Sequence, residues 1–304
     1  MGVISPVGND VNTFWSNLCD GVCGIDYIKS FPTDNLPVGI AGIIKDFKAE
    51  EYGMDKPFIR KQDLFTQYGV AAAYQAMRQS GLSSKGEDKN IDPFRLGVYF
   101  GSGIGGFATQ YREISKMIED PSGQWISPLF IPTMISNIAA GHIAILHNAQ
   151  GPCLDIVTAC ATSTNAMGEA FRAIRNGYAD AIITGGCENA TIPIGIVGFA
   201  NAKALSRATD PKYASLPFNA NRAGFVMADG SAALVLEEYE HAKARGAQII
   251  GEMVGYGNTC DAYHSTAPRP DGTTQAKCIE LALEEAGFDK EKDNLYINAH
   301  GTGT

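Results

Sequence analysis

The sequence predicts an α/β protein with a mainly parallel sheet that helices cover on both faces. Short apolar runs alternate along the chain with amphipathic segments of about 10 to 15 residues, which is the pattern of strands joined by helical crossovers. Hydrophobic residues make up 45% of the 304 residues, and charged residues make up only 19%. Because parallel strands are buried on both faces, unbroken apolar runs fit a chain with so little charge.

Charge and cysteine content exclude several classes of function. Lys and Arg number 24 against 33 Asp and Glu, a net charge of −9, whereas surfaces that bind nucleic acid or an anionic membrane are basic. The 7 cysteines include no Cys-x-x-Cys pair, which argues against a disulfide framework or a zinc site. The sequence has neither a basic leader nor an apolar run of about 18 residues. We therefore expect a cytoplasmic protein without a metal that binds neither nucleic acid nor membrane.

Several segments carry apolar residues at helical spacing. In the first of them, Tyr68, Ala72 and Ala76 lie four residues apart. Gly81 follows as a helix stop. The third segment is so broadly apolar that we expect its helix to be mostly buried. The predicted helices are residues 61–80, 107–118, 133–147, 163–176, 240–245 and 274–287.

Short apolar runs between turn residues predict the strands. Residues 1–60 are rich in Gly, Pro and Asp, so we expect them to be irregular with short strands only. Farther along, each apolar run precedes a turn and a helix, as in βαβ units. The predicted strands are residues 95–100, 153–157, 181–184, 232–237, 248–255 and 294–298. The pair Gly185 and Gly186 is expected to end the third strand.

A glycine-rich turn follows the first of these strands. Gly101, Gly103 and Gly106 fit the spacing G-x-G-x-x-G between a strand and a helix, the context of a dinucleotide-binding loop. Glu119, however, lies at the end of the next helix and not after a second strand, where a ribose-binding carboxylate belongs. Three interpretations stay open: a tight turn where backbones pass closely, the floor of a substrate pocket, or a cofactor loop.

Cys160 lies where an apolar strand stops and an amphipathic helix begins. The free N–H groups of a first helical turn favour a thiolate, which is the nucleophilic form of cysteine. The neighbouring side chains of Ala159, Ala161 and Thr162 are small and leave room for a substrate. Cys160 is therefore a candidate nucleophile, and the alternative is a buried structural thiol, the common fate of cysteine.

His300 is the second candidate for catalysis. It follows the last apolar run, within the small and hydroxyl residues of 298–304. A histidine at the carboxyl end of a strand can meet a nucleophile raised on another strand of the same sheet. Of the other histidines, we expect His142 and His147 to be satisfied core residues, and His264 is a candidate for the mouth of a site.

Three motifs occur in the chain in a fixed order: TACATS at 158–163, PFNANRAGFVM at 217–227 and NAHGTGT at 298–304. Together they resemble the β-ketoacyl-[acyl carrier protein] synthases, most of all the type II condensing enzymes. The resemblance implies a thiolase-like fold with αβαβα layers built from two similar halves, and a homodimer. It also implies an N-terminal half over 1–246 with the nucleophile, and the start of a C-terminal half over 247–304 with the histidine.

The resemblance implies a decarboxylating Claisen condensation that elongates fatty acids. Cys160 would accept the acyl group, and His300 would be one of two histidines that bind the malonyl thioester carbonyl. The loss of one such donor typically costs about 10²–10³ in rate. The implied substrate-binding residues are Thr266, Thr302 and Thr304 in the phosphopantetheine tunnel, Ile104, Ala159 and Phe199 in the acyl pocket, and Phe130 at the partner chain's pocket.

Parts of the family pattern have no counterpart in this sequence. Family members have a first strand before the segment that resembles residues 1–4, and they continue beyond Thr304. That C-terminal portion would hold the second catalytic histidine, a lysine and the Gly-Phe-Gly turn of the oxyanion hole. We therefore expect the second half of the fold to be incomplete and the chain to transfer acyl groups to Cys160 without efficient condensation.

The implied partner is an acyl carrier protein, which brings malonyl and acyl thioesters on its phosphopantetheine, and no other cofactor is implied. Because carrier proteins are acidic and this chain is too, docking requires a local basic patch. The candidate docking residues are Arg60, Lys61, Lys203 and Arg207.

Two alternatives come from other classes of protein. One is a non-catalytic partner subunit of a condensing enzyme, which the presence of Cys160 disfavours because such subunits replace the nucleophile. The other is a dinucleotide-dependent oxidoreductase that uses residues 101–106, and the resemblance makes this the weaker of the two.

Overall fold

A computed structural model describes residues 1–304 and divides them into two units. The larger unit comprises Met1–Ala247 and Gly301–Thr304, and the smaller unit comprises Gln248–His300. Nearly all of the regular secondary structure belongs to the larger unit. No helix in either unit has the length and apolar character needed to cross a bilayer.

The strands of the larger unit form a mixed sheet and a small hairpin-like pair. The strands are β1 (Gly2–Ile4), β2 (Ile25–Tyr27), β3 (Ile40–Gly42), β4 (Leu96–Gly101), β5 (Cys153–Leu154), β6 (Ala181–Glu188) and β7 (Gly230–Glu237). The five-stranded sheet has the order β1-β7-β6-β4-β5, and β2 pairs with β3. β4 runs parallel to β5 and β6, whereas β7 runs antiparallel to β6 and β1. The carboxyl ends of β4, β5 and β6 thus meet at one edge, where α/β proteins bind ligands.

Helices cover both faces of the five-stranded sheet, as predicted. The helices are α1 (Val11–Cys19), α2 (Lys56–Lys61), α3 (Leu64–Ser80), α4 (Phe107–Glu119), α5 (Phe130–Met134), α6 (Ile138–His147), α7 (Thr162–Arg175), α8 (Pro193–Asn201), α9 (Tyr239–Ala244) and α10 (Thr273–Ala286). α3 and α6 pack with β4, β6 and β7 in one apolar core, in which Phe65 and Phe100 are fully buried. α7 packs against β4 and β6 through a separate cluster that includes Tyr99 and Ala170.

Asp63 fixes the start of α3 and joins it to α4. Its carboxylate is 6% exposed and accepts hydrogen bonds from the Phe65 N–H at 3.3 Å and from the Thr109 N–H at 2.9 Å. The side chain thus caps α3 in the usual way and holds the first turns of α4 against it. At the other end, Gly81 stops α3 with φ 64°, which confirms the predicted helix stop.

The predicted single helix over 133–147 is wrong, because α5 and α6 replace it. Ile135 between them is extended, and the Met134 carbonyl oxygen accepts a hydrogen bond from the Gly106 N–H at 3.0 Å. The interruption therefore supplies an acceptor for the glycine-rich turn. α6 is also less buried than predicted, since Ile145 is 73% exposed.

β6 is longer than predicted, and β5 is shorter. Gly185 and Gly186 do not end β6, which continues to Glu188. Gly185 is required because β7 passes closely: a Cβ there would lie 2.1 Å from the Ala232 carbonyl oxygen. Gly186 pairs with Gly101, the last residue of β4. Glu188 therefore extends past the end of β4, over the turn that follows it.

The smaller unit consists of α10 and extended segments that pack on it. The Tyr256 N–H donates to Glu285 Oε2 at 2.8 Å, and a Cβ on Gly257 would lie 1.9 Å from the Cys278 carbonyl oxygen. The predicted strands over 248–255 and 294–298 are absent. A strand needs a neighbour to complete its hydrogen bonds, and neither segment pairs with one.

Candidate active site

Cys160 lies in a single 3₁₀ turn, Ala159–Ala161, between β5 and α7. The residue is exposed, so the alternative of a buried structural thiol is wrong. Ala159 has φ 50°, a left-handed conformation that costs a non-glycine residue roughly 1–2 kcal/mol. Backbone strain of this kind is concentrated at functional sites. The turn presents the thiol at the carboxyl end of the parallel strands.

Polar side chains pin the turn that carries Cys160. The Thr158 N–H donates to Thr162 Oγ1 at 2.9 Å, and Asn165 Nδ2 donates to Thr158 Oγ1 at 2.8 Å. The N-cap residue of α7 is Ala161, which offers no side-chain hydrogen bond to the first helical turn. The start of α7 thus lacks the side-chain acceptor that commonly caps a helix, and its first N–H groups lie next to Cys160 in the chain.

The glycine-rich turn 101–106 passes directly beside this segment. A Cβ on Gly101 would lie 2.2 Å from the Ile156 carbonyl oxygen and 2.4 Å from Thr162 Cγ2. A Cβ on Gly103 would lie 3.8 Å from Ala159 Cα. Of the three interpretations of these glycines, close passage of two backbones is the one that the geometry supports.

We predict that Gly101→Ala destabilises the protein by about 3 kcal/mol, because the methyl group would overlap the Ile156 carbonyl and force the strand end to shift. The melting temperature should fall by several degrees, as measured by circular dichroism. Gly141→Ala is the matched control, since Gly141 lies inside α6 with open space around it and alanine favours helices. Equal melting temperatures for Gly101→Ala and wild type would contradict the close passage.

The end of the chain contacts the second of the three motifs. Residues 301–304 belong to the larger unit, where the Gly224 N–H donates to the Gly303 carbonyl oxygen at 2.9 Å. Arg222 Nε donates to the Thr304 carbonyl oxygen at 3.3 Å. The hydroxyl oxygens of Thr302 and Thr304 lie 2.6 Å apart. The motifs at 217–227 and 298–304 therefore meet through backbone contacts.

His300 is the last residue of the smaller unit and is exposed, whereas Cys160 belongs to the larger unit. Thr266 is also exposed in the smaller unit. Its N–H donates to His264 Nδ1 at 3.1 Å, and the Ala267 N–H donates to the same atom at 3.0 Å. The loop histidine therefore orders its own turn through Nδ1.

Comparison with protein families decides the identity. Residues 1–242 match the N-terminal domain of β-ketoacyl synthases, and residues 250–304 match the C-terminal domain. The chain belongs to the β-ketoacyl synthase family. It is 46% identical to a 3-oxoacyl-[acyl-carrier-protein] synthase 2 of Vibrio cholerae and 44% identical to that of Staphylococcus aureus strain N315, in each case over 100% of this chain and 72% of the relative.

Solved structures of ketosynthases share the fold. A type II PKS acyl-carrier protein in complex with its ketosynthase matches with a TM-score of 0.87 and 30% identity, over 100% of this chain and 72% of that one. A β-ketoacyl synthase from Burkholderia phymatum STM815 matches with a TM-score of 0.85 and 29% identity, over 100% and 73% of the two chains. These matches confirm the predicted thiolase-like α/β fold.

The dinucleotide alternative is wrong for this ketosynthase, and the glycine-rich turn shows why. The Gly103 N–H, which a pyrophosphate would need, donates instead to Glu188 Oε2 at 2.7 Å. A carboxylate at this position would also repel an anionic ligand. Residues 101–106 are therefore a structural turn beside the segment that carries Cys160.

The residues that resemble acyl-pocket positions lie in this turn, on α5 and on α8. Ile104 is 38% exposed within the turn. Phe199, on α8, is 38% exposed, and its ring packs edge-on against Phe225 with centroids 5.3 Å apart. Phe107 and Phe225 border the same apolar cluster, so α4 and α8 form continuous packing next to the turn. Phe130 is half-buried at the start of α5.

The four candidate docking residues are all exposed in the larger unit. Arg60 and Lys61 end α2, where the Lys61 carbonyl oxygen accepts a hydrogen bond from Thr133 Oγ1 at 3.1 Å. Lys203 and Arg207 follow α8, and Lys203 has φ 58°. Their backbones are thus fixed while their charges face solvent.

The two histidines of α6 have different surroundings. His142 packs edge-on against Phe58, with ring centroids 4.9 Å apart. Burial, and secondly the nearby Lys85, lower the pKa of His147 to about 4. Its Nε2 has no hydrogen-bond partner in the protein, so the prediction of a satisfied histidine is wrong here. Lys85 Nζ donates to the Leu146 carbonyl oxygen at 2.6 Å, near the end of α6. It does not form a hydrogen bond with the His147 ring.

Two partly buried carboxylates beside the glycine-rich turn were not identified from the sequence. Burial raises the pKa of Glu188, although hydrogen bonds from Ser102 and the Gly103 N–H oppose the rise. Burial likewise raises the pKa of Asp155, whose Oδ2 accepts a hydrogen bond from Ser136 Oγ at 2.5 Å. No signal in the sequence identifies either residue. Gly185 and Gly186 suggested that β6 stops before Glu188, and Asp155 falls inside the predicted strand 153–157.

Proposed function

We propose that this chain belongs to an enzyme that elongates fatty acyl chains by decarboxylating condensation, in which Cys160 is the acyl-accepting nucleophile and His300 contributes to the condensation step. The observation that carries the proposal is the exposed cysteine on a pinned, strained turn at the carboxyl edge of the sheet. The two relatives named above are 3-oxoacyl-[acyl-carrier-protein] synthases, whose name describes the expected product, a 3-oxoacyl thioester.

The proposed reaction has three balanced stages. The Cys160 thiolate attacks the carbonyl carbon of an acyl thioester, and the carrier leaves as its thiol. A malonyl thioester then loses CO₂, and the electron pair of the broken C–C bond stays on the remaining two-carbon unit as an enolate. The enolate carbon attacks the acyl-cysteine, the thiolate leaves, and the product is a 3-oxoacyl thioester two carbons longer. The thioester supplies the driving force, so the scheme uses no metal or nucleotide.

Other residues receive roles in this scheme. His300 donates a hydrogen bond to the malonyl thioester oxygen, where negative charge collects during decarboxylation. Thr266, Thr302 and Thr304 line the path of the phosphopantetheine arm, to which their hydroxyl groups offer hydrogen bonds. The arm arrives attached to the carrier protein.

A labelling experiment tests the proposal. The protein is incubated with a radiolabelled dodecanoyl thioester of phosphopantetheine, digested and mapped by mass spectrometry. A single adduct on Cys160 supports the acyl-enzyme. An adduct on another cysteine contradicts it, and absence of any adduct favours the non-catalytic partner subunit.

We predict that binding of an acidic acyl carrier protein weakens by about tenfold from low to physiological salt. The reason is that Arg60, Lys61, Lys203 and Arg207 supply local positive charge on an acidic chain. Lys61→Glu should weaken binding at low salt, whereas Lys290→Glu, a reversal in the smaller unit, should not. Affinity that stays constant with ionic strength, measured by surface plasmon resonance, would contradict the docking patch.

We also predict a homodimer formed through the β5 edge of the sheet. β5 pairs only with β4, and the side chains of Leu154 and Val157 are 49% and 51% exposed. Such an open apolar edge favours pairing with a second copy. Leu154→Lys should raise the dimer dissociation constant at least about tenfold in analytical ultracentrifugation. The control is Trp15→Lys on α1, the helix that packs beside β1 at the opposite edge of the sheet, and an unchanged dimer in Leu154→Lys would contradict this interface.

A further inference from the structure

Glu188 ends β6 with its carboxylate against the glycine-rich turn 101–106. Oε1 accepts a hydrogen bond from Ser102 Oγ at 3.0 Å, and Oε2 accepts one from the Gly103 N–H at 2.7 Å. Both distances are in the range of strong hydrogen bonds to a charged acceptor. The side chain therefore holds two successive residues of the turn at once.

Gly103 stands between this carboxylate and the turn that carries the nucleophile. A Cβ on Gly103 would lie 2.8 Å from Glu188 Oε2 and 3.8 Å from Ala159 Cα. Ala159 is covalently next to Cys160 and has φ 50°. The glycine-rich turn thus lies between the Glu188 carboxylate and the turn that carries Cys160. A displacement of the glycine-rich turn would therefore also displace Cys160.

Ser102 connects Glu188 to Gly105 at the other end of the glycine-rich turn. It is 1% exposed, and its Oγ accepts a hydrogen bond from the Gly105 N–H at 2.9 Å while it donates to Glu188. Ile104 lies between the two braced residues, Gly103 and Gly105. Its backbone is consequently fixed by a network that begins at Glu188.

We propose that Glu188 is a positioning residue for acyl transfer, because it holds the turn 101–106, and with it Ile104, against the segment that carries Cys160. Partial burial of a carboxylate costs desolvation free energy. The benefit that offsets this cost is a rigid turn beside the carbon atom that reacts. The inference rests on the proposed function, since it assigns Glu188 to the acyl transfer proposed above.

The test compares two reactions of the same thiol. Acylation of Cys160 by the dodecanoyl thioester requires the acyl chain to fit beside the turn, whereas alkylation by iodoacetamide requires only an accessible thiolate. Glu188→Gln removes the charge from both hydrogen bonds, and its NH₂ group can contact Ser102 Oγ only if that hydroxyl accepts where it now donates, so both contacts are weakened. We expect acylation to slow by about tenfold and alkylation to change by less than about threefold.

Glu113→Gln is the matched control. Glu113, on α4, is a carboxylate buried more deeply than Glu188: its side chain is 1% exposed, and it accepts a hydrogen bond from the Ser127 N–H at 3.0 Å. Burial would raise its pKa, but that bond and those from Lys116 and Arg112 lower it to about 2. This control should lose stability without changing the ratio of the two reaction rates.

Ser102→Ala is the second variant and decides the case if Glu188→Gln does not fold. It removes one bond to Glu188 and the acceptor of the Gly105 N–H without changing the charge, and it should lower the same ratio. An unchanged ratio, or an equal fall in Glu113→Gln, overturns the inference. Wild-type protein that does not react with the thioester would contradict the proposed function, whereas reactive wild type with an equally reactive Glu188→Gln would contradict only the role of Glu188.

Discussion

Replacing Cys160 with alanine should abolish acylation of the protein by the dodecanoyl thioester. The methyl group cannot accept an acyl group, and other exposed cysteines, such as Cys19 and Cys260, lack a pinned turn before an uncapped helix. The expected result is the loss of all stable label above background, read by mass spectrometry of the intact protein. Circular dichroism should be unchanged, because the side chain is exposed and makes no contact that folding requires.

Cys153→Ala is the matched control for Cys160→Ala. Cys153 lies only seven positions earlier, on β5, and is exposed as a residue, but partial burial of its thiol group raises the pKa of the thiol, and the nearby Asp155 adds to this effect. Its thiol is therefore less available as a thiolate at neutral pH. Cys153→Ala should retain full labelling. If the label persists in Cys160→Ala and disappears in Cys153→Ala, the nucleophile is Cys153 and the assignment to Cys160 is wrong.

The parts of the fold that depend on local pattern could be predicted from the sequence. α3 follows from apolar residues at helical spacing and from Gly81, and α7 from its amphipathic pattern before Gly177. The segments 248–255 and 294–298 carry equally good strand patterns but form no strand. Pairing is a property of two segments, so one run of apolar residues cannot establish it. In the second segment the side chain of Tyr296 is 85% exposed, because no neighbouring strand or helix covers it.

The candidate site was predictable where a residue type carries the chemistry by itself. Of what the sequence predicts for Cys160, the structure confirms only that it lies exposed between an apolar strand and a helix, and its role as nucleophile stays a prediction. Glu188 could not be identified, because Gly185 and Gly186 suggested that β6 stops before it. Only the register of β6 against β4, with Gly186 opposite Gly101, shows that the strand continues and brings a carboxylate to the glycine-rich turn.

Replacing His300 with alanine should slow decarboxylation of a malonyl thioester by about 10²–10³-fold, the usual cost of one lost donor to a developing oxyanion. Acylation of Cys160 should continue at nearly the wild-type rate, because in the proposed scheme His300 binds the malonyl and not the acyl thioester. The two steps can be measured separately, the first as release of labelled CO₂ and the second as label on the protein.

His264→Ala is the control for His300→Ala, since both histidines are exposed in the smaller unit. His264 Nδ1 already accepts two backbone N–H groups and serves its own loop, so its loss should leave CO₂ release within about threefold of wild type. Equal rates of CO₂ release from wild type and His300→Ala would remove His300 from the mechanism and leave Cys160 as a nucleophile without an identified enolate-stabilising partner. If acylation falls in parallel with decarboxylation, His300 acts on the thiol instead, and the division of labour between the two residues is wrong.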